Sequence, residues 1–330
     1  MVATLLHEVP LQGGDVTDGV VRVGDTVRRP ASMSTPAVHA LLRHLEAVGF
    51  DGAPRVVGMD EFGREILTFL PGTTGLRLES VTDEALVQLA GLLRRFHDAT
   101  AGFPLTGVGW EGGSNDDRSP EVIGHCDLTP ENVIFRHGVG GRSGAAWGGG
   151  VSGGGVSDAA GGAGRGASGG IPGGGGSGGG GSAAAEGVGG AISAVAGGGV
   201  LGAAGGEVGP YAFIDFDLAR PTTRLFDVVT TLRHWAPISD PVDRAPLLRS
   251  VDVGARLRLF CDAYGVPPRD RRRLLELARL RFHRSYAVMR TRATVGGNWA
   301  KMWAGGAGER IRRAAAWLDV HEDELHAHLV

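Results

Sequence analysis

The chain is almost without lysine and has few cysteines. Of its 33 basic residues only Lys301 is a lysine, so a mechanism that needs a lysine elsewhere in the chain is excluded. Two cysteines, Cys126 and Cys261, are too few for a disulfide framework or for a zinc site with paired cysteines. Cys126 is either a small buried residue or a nucleophile. Its neighbours supply no obvious base to activate the thiol, so we expect a buried residue.

Long apolar runs and a large net charge are also missing. No run of 18 apolar residues occurs, and the N-terminus lacks the basic start and apolar stretch of a signal peptide. The 330 residues are 42% hydrophobic with a net charge of -3. We therefore expect a soluble globular protein in the cytoplasm, with one large or two modest domains and with neither nucleic acid nor membrane as its partner. The sequence does not indicate an oligomeric state.

Glycine, by contrast, is abundant in one segment. Residues 138–209 contain 34 glycines, five charged residues and no aromatic residue apart from Trp147. Such a composition cannot bury enough apolar surface to offset the entropy of ordering the chain. We therefore predict a long disordered Gly-rich insert.

The segments that flank this insert have the pattern of two paired strands. "ENVIFRHG" precedes it and "PYAFIDFDLA" follows it, and each is short, apolar and rich in β-formers. The insert therefore lies at the tip of a hairpin. Its length adds about four doublings of the loop, or about 2.5 kcal/mol of closure entropy, which a domain of this size tolerates.

The rest of the chain changes from strands to helices along its length. Turns and short strands around one helix fill the N-terminal part, and apolar residues at helical spacing dominate after Gly72. The predicted fold class is α+β, with a small antiparallel β N-lobe and a mostly helical C-lobe. The predicted divisions are an N-lobe (1–72), the first part of the C-lobe (73–137), the insert (138–209) and the second part of the C-lobe (210–330).

"GHCDLTPENVIF" places an acid and an amide five residues apart on a loop that enters a strand. Such a loop can place the carboxylate of Asp127 over one reacting group and the amide oxygen of Asn132 over a metal. Asp215 in "FIDFD" ends the paired strand, so we expect it to face the same space. Amide and carboxylate oxygens suit Mg²⁺. Phosphoryl transfer needs an oriented acceptor hydroxyl and neutralised charge, so we expect Asp127 as base and Asn132 and Asp215 as metal ligands.

These two motifs together resemble those of the aminoglycoside phosphotransferase and choline kinase-like family, which is related to the protein kinases. "HCDLTPENVIF" is similar to the catalytic loop His-x-Asp-x-x-x-x-Asn, and "AFIDFDLARPTTRLFDVV" is similar to the segment with the metal Asp. The resemblance covers most of the chain outside the insert. It implies a two-lobed protein-kinase-like fold with ATP and Mg²⁺ in the cleft between the lobes.

The resemblance also implies roles for further residues. "TFLPG", with Phe69 and Leu70, looks like the hinge whose backbone meets adenine. Gly13 and Gly14 either cover the phosphates or form a plain hairpin turn. His125 is expected to be a structural member of the catalytic loop, with a direct role in proton transfer as the alternative. Asp227 is expected to brace that loop.

Two roles are open for Asp217, which follows Asp215 in "FIDFD": it binds a second metal ion or caps the next turn.

One departure from the family pattern concerns phosphate binding. The family usually places a lysine on the third strand, and the matching stretch here is "TVRRP". Arg28, or failing that Arg29, must take this role, and the exchange is not conservative because arginine is longer and planar. The first helix offers His39 and Glu46 where kinases have a glutamate. A second hypothesis is therefore a kinase-shaped binding or immunity protein with weak or no catalysis.

The acceptor is expected to be a hydroxyl of a small polar molecule. An aminoglycoside, another antibiotic, an amino alcohol and a sugar all remain open. A cationic antibiotic favours an acidic wall, for which the candidates are Asp116, Asp117, Asp240 and Asp243. The nine arginines between Arg269 and Arg292 point the other way: they form either an anion-binding wall or a solvated helix face.

Overall fold

A computed structural model describes residues 7–11, 19–105, 109–113, 115–137 and 208–330. The predicted phosphate-covering residues Gly13 and Gly14, and nearly all of the predicted insert, lie outside the described residues.

An antiparallel sheet of five strands forms the N-terminal part, and its strand order is β1-β2-β3-β5-β4. The strands are β1 (Val9–Pro10), β2 (Val21–Val23), β3 (Thr26–Pro30), β4 (Val56–Met59) and β5 (Arg64–Thr68). In β3 the exposure alternates, so that Val27 and Arg29 face the interior. This alternation decides which arginine reaches the site described below.

Helix α1 (Thr35–Ala47) connects β3 to β4 and packs against the sheet. Pro36 lies in its first turn, where a missing N–H costs nothing. Its apolar face buries Val38, Leu41, Leu42 and Leu45. Helix α1 also contacts the short 3₁₀ turn Phe216–Leu218 that follows β9.

The C-terminal part is mostly helical. Its helices are α2 (Asp83–Thr100), α3 (Arg224–Trp235), α4 (Val253–Tyr264), α5 (Pro268–Arg271), α6 (Leu274–Ala293), α7 (Gly297–Ala304) and α8 (Ala307–Leu329). Thr82 caps α2, as its hydroxyl accepts a hydrogen bond from the N–H of Ala85. Leu86, Leu89 and Phe96 of α2 are fully buried, so α2 forms the centre of the core.

Short strands inside this helical part carry the loops of interest. They are β6 (Thr73–Thr74), β7 (Val122–Gly124), β8 (Val133–His137), β9 (Val208–Phe213) and β10 (Arg220–Thr222). β8 and β9 pair antiparallel, with His137 opposite Val208 and Val133 opposite Phe213. The predicted hairpin is therefore present. β7 pairs with β10, which places the start of the Asp127 loop beside the segment that follows Asp215.

The fold confirms the predicted class, a small antiparallel N-terminal sheet followed by a helical part, and differs in detail. The periodic apolar residues of the arginine-rich stretch indicate a single helix, whereas the structure divides it into α5 and α6. Helix α7, in "GNWAKMWA", was not expected because its glycines and short length give little periodic signal. Among the residues that the structure describes, no helix is long and apolar enough to cross a membrane.

Candidate active site

Asp127 and Asn132 meet on the loop between β7 and β8. The Asn132 Nδ2 donates to the Asp127 carboxylate Oδ2 at 3.0 Å and to the Asp127 carbonyl at 2.9 Å. A single turn of 3₁₀ helix, Pro130–Asn132, brings the two side chains together, and both are buried. The sequence spacing therefore places the predicted base and the predicted metal ligand in direct contact.

Asp227 at the start of α3 braces this loop. Its two carboxylate oxygens accept from the backbone N–H of His125 at 2.9 Å and of Cys126 at 2.8 Å. His97 also contacts Asp227, with Nε2 at 2.9 Å from Oδ2. A Cβ on Gly124 would lie 2.9 Å from the Asp227 Cγ, so only glycine permits this approach. The expected bracing role of Asp227 is thus visible in the structure.

Asp215 lies across the hairpin from Asn132. The backbone N–H of Ile214 donates to the Asn132 carbonyl at 3.0 Å, which ties the two loops together. Cys126 and Asp215 are the two non-glycine residues with positive φ among the residues that the structure describes, each at 62°. Such conformations cost about 1–3 kcal/mol and concentrate at functional sites. Both flank the space where the sequence predicts chemistry.

Arg29 is the arginine that faces this space, which corrects our expectation for Arg28. The Arg29 Nη1 lies 3.1 Å from the Asp215 Oδ1, and its Nη2 contacts the carboxylate of Asp217. Arg28 points to the other face of the sheet, where it lies 3.8 Å from Asp60. The reason is strand alternation, because Val27 is buried and residues 27 and 29 share a face.

Two residues lie behind Arg29: Glu65, which the sequence analysis did not single out, and His39, which it offered where kinases have a glutamate. Glu65 on β5 is paired with Arg29 across the sheet, and its Oε1 lies 3.3 Å from the Arg29 Nε. His39 of α1 contacts the other oxygen of Glu65 at 2.8 Å. The acid therefore comes from a strand and the helix supplies a histidine, while Glu46 pairs with Arg55. The sequence signal for Glu65 is the apolar Leu67, which lies two positions further along β5 and therefore on the same buried face of the strand.

The charges of this cluster suit a divalent cation. Asp215, Asp217 and Glu65 present three carboxyl groups to one guanidinium, Arg29. Burial is the main cause that raises the pKa of both Asp215 and Glu65, and the neighbouring carboxylate of Asp217 adds to it. A cation bound beside these carboxyl groups would favour their charged forms and so lower both pKa values.

Two buried oxygens are available to such a cation. The Asn132 Oδ1 and the Asp215 Oδ2 are buried without a hydrogen-bond partner. Among the described residues no group of three or more His, Cys, Asp or Glu side chains forms a preassembled metal site. Mg²⁺ bound through two protein oxygens, with phosphate and water completing its shell, does not require one. The donor set therefore fits Mg²⁺ with a phosphate ligand.

An apolar cleft lies beside these charges. It opens to solvent and runs from Arg29, Glu65 and Asp215 to Phe69 and Leu70. Val20 and Val27 of the sheet contribute to the apolar cluster on one side, and Ile134, Ala212 and Ile214 contribute on the other. Phe69 and Leu70 lie where the sequence predicted a hinge. The walls of this cleft are therefore mainly apolar beside the charged cluster at Arg29.

Comparison with solved structures identifies the architecture. A choline/ethanolamine kinase family protein from Mesorhizobium loti matches with a TM-score of 0.51 and 14% identity, covering 99% of this chain and 94% of that chain. The chain has a kinase-like fold. The GDP complex of wild-type aminoglycoside 2′-phosphotransferase-IIIa also matches, with a TM-score of 0.45, 14% identity, and coverage of 93% and 94%.

The sequence comparisons add one relative. The trifolitoxin immunity protein of Rhizobium leguminosarum bv. trifolii is 43% identical over 137 residues, which cover 40% of this chain and 52% of that protein. The chain thus spans about half the length of the curated relative that it matches. No family model matches the sequence.

Burial controls the protonation of the loop between β7 and β8. It raises the pKa of Asp127 to about 7, against the opposing charges of Arg281 and Arg220. It lowers the pKa of His125 to about 4, so His125 is neutral near pH 7 and its Nε2 donates to the Ile214 carbonyl at 3.0 Å. Burial raises the pKa of Cys126 to about 12, which leaves its thiol unreactive. Asp127 is therefore the group poised to exchange a proton near neutral pH.

The four candidate acids for a cationic acceptor lie elsewhere. Asp116 is bound by Arg273 at 2.8 Å and by Thr223, and Asp117 contacts Arg284. Asp243 binds Arg313 at 2.6 Å, and Asp240 caps a 3₁₀ turn by accepting from the N–H of Val242. None of these four carboxylates lines the described pocket at Asp127.

Proposed function

We propose that the protein is a magnesium-dependent phosphotransferase that moves the γ-phosphoryl group of ATP to a hydroxyl of a small molecule. The observation that supports this proposal is the contact of Asn132 with Asp127 on a loop whose backbone is bonded to Ile214, next to Asp215, together with the buried Asn132 Oδ1 and Asp215 Oδ2, which have no hydrogen-bond partner. The kinase-like fold supports it.

The side chains have distinct roles in this proposal. Asp127 accepts the proton of the acceptor hydroxyl, and Asn132 holds the Asp127 carboxylate in position through its Nδ2. The oxygens of Asn132 and Asp215 hold Mg²⁺, which neutralises charge on the phosphates when it is bound. Asp217 is a further oxygen donor beside it. Arg29, fixed from behind by Glu65, presents positive charge to the phosphates.

The test is the formation of ADP in the presence of pooled small hydroxyl compounds. The purified protein should release ADP from MgATP only when an acceptor is present. Asp127→Asn should lower this rate by about 100-fold or more, because the base is lost while its shape is kept. Asp51→Asn, at an exposed carboxyl, is the matched control and should keep the full rate. Equal rates in the wild type and Asp127→Asn would overturn the assignment.

A second function, immunity through binding without transfer, is favoured by a different observation. The immunity protein from Rhizobium leguminosarum is 43% identical over the matched segment. Arg29 also already contacts both Asp215 and Asp217, so a guanidinium occupies the side of the acid pair that faces the sheet. Absence of MgATP binding at millimolar concentration, measured by calorimetry, would favour this second function over the transferase.

A further inference from the structure

The charge of the pocket on the acceptor side of Asp127 is opposite to that expected for a cationic acceptor. This second pocket opens to solvent and is lined by Asp127 together with Arg220, Arg281 and Arg292. Asp127 is the one carboxylate that lines it. Any hydroxyl compound that reaches Asp127 from this side therefore meets three guanidinium groups.

One face of α6 builds most of the cationic wall. Arg281, Ser285, Val288 and Arg292 all line the pocket, and their spacing of four, three and four residues places them in one stripe along the helix. Arg281 is anchored at its base, where its Nε donates to the Thr230 hydroxyl at 3.1 Å. The wall thus combines two cations, one hydroxyl and one apolar side chain.

The other arginines of this stretch are used differently. Arg273 binds Asp116, Arg279 binds Asp319 and Glu322, and Arg284 contacts Asp117. These ion pairs join helices and loops. Of the arginines in this stretch, Arg281 and Arg292 are the two that line the pocket.

A loop opposite α6 holds the cations in place. The Arg292 Nη2 donates to the Gly112 carbonyl at 2.5 Å and binds Glu111 at 2.6 Å. A Cβ on Gly113 would lie 2.8 Å from the Arg220 Cζ, so glycine lets the loop pack directly on that guanidinium. Arg220 is itself buried, with its Nη1 bonded to the Leu218 carbonyl at 2.8 Å. Ordered guanidinium groups bind carboxylate or phosphate with little further loss of entropy.

We propose that this pocket binds an anionic acceptor, a small hydroxyl compound that carries a carboxylate or a phosphate. The proposal rests on the proposed transferase function. Arg281 and Arg292 hold the anionic group, and Asp127 meets the hydroxyl. In transfer, the hydroxyl oxygen forms a bond to the γ-phosphorus, the bond from that phosphorus to the bridging oxygen breaks, ADP leaves, and the hydroxyl proton passes to Asp127.

Four compounds on one three-carbon skeleton test the charge preference. Glycerate and glycerol 1-phosphate are anionic, glycerol is neutral, and 3-amino-1,2-propanediol is cationic. Ligand-observed NMR titration of the full-length protein should show that at least one anion binds about ten-fold or more tightly than the neutral and cationic compounds. A preference between the two anions distinguishes a carboxylate site from a phosphate site. Equal binding of all four compounds would overturn the proposal.

Variants of α6 test whether its arginines cause the preference for anions. Arg281→Gln should weaken anion binding by about ten-fold or more, and Arg281→Lys should restore part of it. Arg290→Gln, at an exposed arginine of the same helix, is the matched control and should bind as the wild type does. A melting curve for each variant shows that it is folded.

MgATP binding, measured in the same samples, separates this proposal from the transferase function. Arg281→Gln should bind MgATP as the wild type does. If it loses MgATP binding but keeps the anion preference, the arginine serves the nucleotide and the anionic-acceptor proposal is overturned. If the wild type selects anions but binds no MgATP, the transferase function is overturned and the selectivity of the pocket stands.

Discussion

At the scale of single residues, the account depends on the buried carboxyl group of Asp127. Burial raises its pKa to about 7, so the folded protein holds a proton that the unfolded chain has released between about pH 4 and pH 7. Raising the pH through this window therefore destabilises the fold. A carboxyl group whose pKa is about 7 suits a general base, but its burial lowers the free energy of unfolding at neutral pH.

We predict that Asp127→Asn removes this pH-dependent cost. Relative to the wild type, the free energy of unfolding of the variant should rise by an amount on the order of 2–4 kcal/mol between pH 4 and pH 7 and stay level above it. Urea unfolding in EDTA at several pH values measures this difference. Asp51→Asn, at an exposed carboxyl, should show no such rise. A difference between Asp127→Asn and the wild type that is constant with pH would contradict the burial argument.

At the scale of secondary-structure elements, the positions of the charged side chains are set by which strands pair and by which face of a strand each residue is on. The motif "HCDLTPENVIF" was sufficient to bring Asp127 and Asn132 together, because a short loop into one strand fixes both. Asp215 followed from the antiparallel pairing of β8 with β9. These parts of the site are local or involve one hairpin, and the sequence predicted them.

The parts of the site that depend on distant contacts were less accessible from the sequence. The choice of Arg29 over Arg28 depends on which face of β3 meets the core, and Val27 was the available signal. Glu65 and His39 meet Arg29 only because β5 and α1 pack around β3. Nor did the sequence show which arginines of α6 line a pocket, because that depends on the loop at Gly112 and Gly113.

Because Arg28 and Arg29 are on opposite faces of β3, we predict that their substitutions change the free energy of unfolding by very different amounts. Arg29→Met leaves Asp215, Asp217 and Glu65 without their cation, and we expect the free energy of unfolding to fall by about 3–5 kcal/mol. Arg28→Met removes a partly exposed ion pair with Asp60 and should cost about 1 kcal/mol or less. Urea unfolding of both variants gives the comparison. A larger loss for Arg28→Met would refute the assignment.

At the scale of the whole molecule, the β8–β9 hairpin joins the loop of Asp127 and Asn132 to the strand end that carries Asp215. His137 and Val208 are opposite each other, so their Cα atoms are about 5 Å apart in an antiparallel pair. A two-residue turn spans this distance. The 70 residues between them therefore are not needed to connect the strands.

We predict that replacement of residues 138–207 by Asn-Gly preserves both the stability of the fold and the binding of MgATP. Asn-Gly suits the type I′ turn of a two-residue hairpin. The shorter loop has a smaller closure entropy, so the free energy of unfolding should be unchanged or higher by about 2–3 kcal/mol. Thermal melting and MgATP calorimetry measure both properties. A loss of stability or of nucleotide binding would show that the replaced segment takes part in the fold or the site.

The claim on which the rest depends is that the cleft binds nucleotide together with Mg²⁺ at Asn132 and Asp215. Thermal melting with MgATP, with ATP in EDTA, and without ligand tests it most directly. The account predicts an upward shift with MgATP, equivalent to about 2.7 kcal/mol at a hundred-fold excess over Kd, which is reduced in EDTA and absent in Asp215→Ala. No shift with millimolar MgATP, or an equal shift in Asp215→Ala, would contradict it.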